Sequence, residues 1–283
     1  MNNSLWKSYQ KMLRLLDIEF FKLRNTKYFW VLTGLFILFL FALPIGFRVL
    51  LNYLTSIGEN MMGWSVPANQ MPFYDFVDIW QNLTWSYMNF SILLGFIMVI
   101  SINNEYTYGT IKQNVIDGLS RSELMWSKLS FIIVLSFVIS IVTFFVGLIF
   151  GMLYSPTQGW EYISLHLEFI PAYFMHLVVF QLFCLVISML IKRPGITISL
   201  LVFYIFVIEP IASVLLFYKY KLEFLANILP MKAISNIVPM PWTKYAFKET
   251  QTTLALDDAL IMGVWAVLLY FIARWILLKR DLV

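Results

Sequence analysis

Six continuous apolar runs dominate the chain, at roughly 29–51, 84–102, 129–153, 169–191, 196–217 and 259–278. A helix crossing the hydrocarbon core of a bilayer needs about 20 apolar residues at 1.5 Å rise each, so each run predicts one spanning helix. A membrane barrel is excluded, because its strands alternate apolar and polar positions and these runs do not. Pro44, Pro171 and Pro210 fall in or near the runs, where side chains of neighbouring helices or waters can satisfy freed carbonyls. The pattern predicts an all-α polytopic membrane protein forming a single transmembrane domain over residues 1–283.

Composition agrees with the pattern. Of 283 residues, 60% are hydrophobic and 13% charged, and the mean hydropathy is +0.78. Soluble domains average about 45–50% apolar and about 25% charged, so this surplus cannot be hidden in a water-soluble core. The net charge of +4 does not point to nucleic acid, since the basic residues border the apolar runs. Cys184, the single cysteine, lies inside an apolar run and reads as a small buried hydrophobe. No cleavable signal is expected, because the first apolar run is longer than a signal core.

Lysine and arginine set the orientation. The segment before the first run has six, the 103–128 loop has three, the 192–195 turn two, and the C-terminus Lys279 and Arg280. Loops 52–83 and 154–168 have none. Both termini and the 103–128 loop are therefore expected on the cytoplasmic side. The 218–258 loop carries five lysines, but it is long and also acidic. Tyr28, Trp30, Trp80, Trp85, Trp160 and Tyr162 at run ends read as interface anchors.

Two polar segments carry more than topology. In residues 5–25, Trp6, Tyr9, Leu13, Leu16, Phe20 and Leu23 recur at steps of three and four, opposite Lys7, Lys11, Arg14, Asp17 and Lys22. This predicts an amphipathic helix in the interface plane, either a topology anchor or an elbow turning the chain into the first span. In the 103–128 loop, Thr110, Ile111, Asn114 and Val115 are spaced for one short helix. Gly118 is a plausible stop, and Ser120 with Glu123 forms a capping box for the third span. That helix is either a solvated connector or a dock for a cytoplasmic partner.

These residues resemble the type-2 permeases of ATP-binding-cassette exporters. The likeness rests on E-F-F-K-L-R (Glu19 to Arg24, including Phe20 and Lys22), E-Y-x-x-G-T-I-K (Glu105 to Lys112), and L-S-R-S-E-L…K (Leu119 to Lys128). Glu209-Pro210 and L-P-M-K-A-I-S-N (Leu229 to Asn236) are similar to bacterial members. The resemblance implies an N-terminal elbow helix over 1–28 and a coupling helix within 103–128. Glu105, Gly109, Thr110, Ile111, Lys112, Asn114, Val115, Asp117 and Arg121 would face a separate P-loop ATPase, present in two copies. It implies a second permease chain, self or sibling, and a re-entrant outer hairpin in 218–258. ATP and magnesium would be bound by the partner: this chain has no G-x-x-x-x-G-K-[ST] run, so no cofactor and no catalysis are expected in it. The expected setting is the bacterial cytoplasmic (inner) membrane.

The intramembrane polar candidates are Glu209, His176 and Arg48. A carboxylate at mid-helix costs about 2.5–3.5 kcal/mol on insertion scales, so Glu209 must face protein or water. It reads as a substrate, proton or gating residue, or as a structural carboxylate bonded to a neighbouring span. His176 reads as an interhelical hydrogen bonder. It is five residues from Gln181 and points about 140° away from it. Arg48 snorkels or faces an outer vestibule. Gly147 and Gly151 permit close packing, within the chain or between chains. The alternative function is a proton-coupled secondary transporter using Glu209, although the two halves show no inverted repeat. A third alternative, an intramembrane enzyme, is disfavoured because His166 and His176 sit in no catalytic motif.

Overall fold

The computed structural model describes residues 14–56, 72–241 and 253–279. Trp6, Lys7, Tyr9, Lys11, Leu13 and residues 57–71 of the 52–83 loop lie outside the described residues, as do Lys244, Lys248 and Arg280. The described chain is all helical, 82% helix and without strands. Among the described residues, six helices are long and apolar enough to cross a membrane.

Helix α1 covers 14–24. The first span is α2 (Lys27–Ser56), and the second is a broken pair, α3 (Ile79–Met88) and α4 (Ile92–Thr107). A short α5 (Thr110–Ile116) precedes the third span, α6 (Arg121–Tyr154). After the brief α7 (Trp160–Ile163) comes the fourth span, α8 (Phe169–Ile191). The fifth span alternates α9 (Pro194–Phe203), a π-helical turn (Tyr204–Ile208), α10 (Glu209–Val214) and a second π turn (Leu215–Lys219). Two short helices, α11 (Glu223–Ile228) and α12 (Pro230–Asn236), lead towards the sixth span, α13 (Leu256–Lys279).

The fourth span is the axis of the bundle, packed on the second, third and sixth spans and on α9 and α12. Its apolar window is 72% buried, against 22% for the first span and 11% for the fifth. Small residues allow the tight contacts. A Cβ on Gly147 would lie 2.6 Å from the Trp80 ring, and one on Gly151 would overlap Phe76. The glycine pair of the third span thus serves packing within the chain.

Several details depart from the sequence pattern. The second span starts at Ile79, before the apolar run, because its polar residues find partners inside the bundle. Asn82 donates to the Phe73 carbonyl and Gln81 to that of Pro239, each at 3.0 Å. Trp80 is no interface anchor: it is buried, stacks on Phe144 and donates to the Ile163 carbonyl at 3.0 Å. Trp30 and Trp160 remain exposed. Pro44 removes the donor that the Leu40 carbonyl would use one turn earlier, and the Tyr87 hydroxyl takes its place at 2.5 Å.

Candidate functional site

The 103–128 segment forms a compact reversal between two spans. Gly109, at φ +67°, turns the chain out of α4 and into α5. Gly118, at φ +99°, closes α5 in a Schellman arrangement: its N–H reaches the Val115 carbonyl, and that of Leu119 reaches Asn114. A side chain at φ this positive is strained, which is why glycine stands at both bends. Ser120 and Glu123 then make a reciprocal capping box that fixes the start of α6. The sequence pattern indicated this short helix, its glycine stop and the capping box.

Fixing the start of α6 places Lys128 two turns in, opposite Glu105 near the end of α4. The Lys128 Nζ lies 2.5 Å from Glu105 Oε1 and 2.7 Å from Glu19 Oε2 on α1. Lys22 approaches from the more exposed edge, 3.3 Å from Glu105 and 3.5 Å from Glu19. The Ser127 hydroxyl adds a 3.2 Å hydrogen bond to Glu19. Glu19, Glu105 and Lys128 are all buried. Two carboxylates and two ammonium groups therefore join α1, the second span and the third in one charge-balanced cluster. Burial raises the pKa of the Glu19 carboxyl, but the Lys128 and Lys22 charges, with hydrogen bonds from Lys128 and Ser127, outweigh it. The net effect holds Glu19 below its ordinary range.

The described part of α1 has an inward and an outward face. Leu15, Glu19 and Leu23, spaced by four, face the protein, whereas Phe20 and Phe21 are exposed. Arg24 lies over the Phe21 ring at 5.1 Å. Glu19 replaces an apolar residue on the inward face because Lys128 neutralises it there. The Lys128 role was not visible locally, since Lys128 reads as one more charge at a span end. The usable signal was its position, two turns beyond a capping box and therefore inside the bundle.

Around this root the loop residues divide into two sets. Ile111 is buried and Val115 half-buried, anchoring α5. Thr110, Lys112, Gln113, Ile116 and Asp117 are exposed, with Asn114 intermediate. Tyr108 and Ile116, just before α5 and at its end, are 77% and 68% exposed, so two large side chains face outward among polar ones. Gln113 bonds Asp117 at 2.9 Å along the exposed face. Arg121 points away from the tip and donates to the Leu277 and Leu278 carbonyls at 3.1 and 2.8 Å. A guanidinium there complements the negative end of the sixth span and ties it to the third.

The intramembrane candidates lie elsewhere, some 20 Å along the second span from Glu105 at 1.5 Å per residue. Glu209 is buried, and its Oε1 accepts the Lys232 backbone N–H, in the first turn of α12, at 2.6 Å. His176 bridges the Ile234 carbonyl at 3.0 Å and the Ser91 hydroxyl at 3.2 Å. Both line one cavity of about 450 Å³ between the second, fourth and fifth spans and α12. Gln181 points elsewhere and donates to Ser136 on the third span at 2.9 Å. Arg48 is separate again, 3.7 Å over the Tyr154 ring. Among the described residues no group of His, Cys, Asp and Glu could hold a metal ion.

A family model described as "ABC-2 family transporter protein" matches residues 15–209, which is more than half of the chain. The chain belongs to the ABC-2 transporter family and is a membrane component of an ABC transporter. The matched region takes in α1, α5 and the ion cluster, and it ends at Glu209. No curated protein matches the chain.

Proposed function

We propose that this chain is the permease subunit of an ATP-driven exporter and that α5 is the surface on which a separate P-loop ATPase acts. The chain forms the translocation pathway, sits in the bacterial cytoplasmic (inner) membrane and keeps both termini inside. One observation carries the reading: a short helix is held between two positive-φ glycines, with Ile116 exposed at its end and Tyr108 exposed just before it, and the spans that flank it are joined by a buried ion cluster. Exposed Tyr108 and Ile116 on a polar loop suit a protein cleft, and the root makes the loop a lever rather than a tether. A push on α5 passes directly into α1 and into both flanking spans. In this reading α1 is the elbow, and α11 with α12 forms the outer re-entrant hairpin, broken at Leu229-Pro230.

ATP and magnesium bind to the partner, which is present in two copies. A second permease, identical or sibling, covers the open apolar faces of the first and fifth spans, the least buried in the bundle. The test is purification of the chain from its native membranes in mild detergent, with mass spectrometry and an ATPase assay on the eluate. A stoichiometric P-loop ATPase that turns over nucleotide is the expected result. A homogeneous complex without one overturns the reading and favours proton-coupled transport through Glu209.

A further inference from the structure

The cavity beside Glu209 has a composition that the lever does not require. Its volume of about 450 Å³ lies within the range of small-molecule sites. Met88 from the second span, Phe180 from the fourth, Phe206 from the fifth and Met231 from α12 supply adaptable and aromatic apolar surface. Among the described residues that line it, Glu209 is the only acidic one. One of its oxygens caps α12 through the Lys232 N–H; the other is buried and has no hydrogen-bond partner with good geometry among the described residues. The Tyr204 hydroxyl stands beside the Glu209 carboxyl.

No lysine, arginine or histidine of the described residues forms an ion pair with Glu209 at 4.0 Å or less. Lys232 also lines the cavity, but its side chain is exposed and acts on Asp258. His176 is held by Ile234 and Ser91. A buried carboxylate oxygen without a partner is costly, and a cationic ligand would remove that cost. An anion would meet the same oxygen unfavourably.

We propose that the cavity between the second, fourth and fifth spans is a binding site for a lipophilic organic cation, its charge held by Glu209 and its apolar body by Met88, Phe180, Phe206 and Met231. Naming that cation as cargo rests on the exporter reading; the site itself does not. The test is equilibrium binding of tetraphenylphosphonium to the full chain in lipid nanodiscs, with empty nanodiscs as blanks. Tetraphenylborate, alike in shape and opposite in charge, is the control.

Saturable binding of the cation and not of the anion is expected. Glu209→Gln keeps a carbonyl for the Lys232 N–H and removes the charge, so it should weaken cation binding by about tenfold or more. Ser213→Trp, which fills the cavity from the fifth span and leaves Glu209 in place, should abolish it. Equal binding of both ions, or an unchanged affinity in both variants, overturns the proposal. If one variant fails to fold, judged by size-exclusion elution, the other decides. A reconstituted chain that binds the cation but co-purifies with no ATPase loses the exporter reading and keeps the site. ATP-driven export of another cargo by a chain that binds no cation does the reverse.

Discussion

Replacing Lys128 by methionine is the most informative single perturbation. The side chain keeps much of its length and loses its ammonium, so the carboxylates of Glu19 and Glu105 lose their shared counter-charge. Lys22 remains, but at 3.3 and 3.5 Å and with partial solvent exposure. Removing one partner of a buried ion pair costs about 3–5 kcal/mol, because the surviving charge stays buried. By the scaling of soluble domains, that is a loss on the order of 10 °C in unfolding temperature.

The pH response has a definite sign. In the native chain the Glu19 pKa is held below its unfolded value. Its contribution is therefore complete above the unfolded value, near 4.3, and is lost as pH falls through the folded one. Without Lys128, burial dominates and lifts the Glu19 pKa above the unfolded value. The variant should then gain stability on acidification from pH 8 towards pH 5, where the native protein changes little. Adding Glu19→Gln and Glu105→Gln to Lys128→Met should recover most of the loss, since the one charge left, Lys22, is partly exposed and can turn to solvent. Thermal unfolding in detergent, followed by tryptophan fluorescence at fixed scan rate, reads all of these. A Lys128→Met variant as stable as the native chain, or a triple variant no better than the single one, would refute the reasoning.

The exposed tip and the packed glycines give separate tests. Ile116→Asp places a charge where the side chain is 68% exposed; it should leave unfolding unchanged and abolish co-purification of the ATPase. Gly151→Ala forces a Cβ into the Phe76 ring and should cost about 1–3 kcal/mol by overpacking. Gly34→Ala, with no heavy atom within 4 Å of its Cβ, should leave the same unfolding curve within error.

What the sequence revealed was local. Apolar runs predict spans because length and hydropathy suffice, and Ser120 with Glu123 predicts a helix start because both partners lie within four residues. The ion cluster joins residues 109 positions apart, and no periodicity signals that pairing. The Glu209 partner is a backbone N–H 23 residues on, which leaves no trace in side-chain chemistry. Trp80 read as an interface residue because its partner, Gly147, belongs to another span. The break at 89–91 and the π turns around Glu209 likewise depend on packing rather than on residue type.

The ion cluster also has a simple arithmetic. Helix α1 brings Glu19 and Lys22, one charge of each sign, already within reach of each other on successive turns. The hairpin of the second and third spans brings Glu105 and Lys128, again one of each. Each half is neutral by itself and holds its own internal pair, so separating them exchanges partners without stranding a net charge in an apolar setting. A joint of this kind works as a clasp: it fixes α1 firmly when closed, yet it can open along a path on which no ion is ever alone. Deleting any single member turns the clasp into a trap.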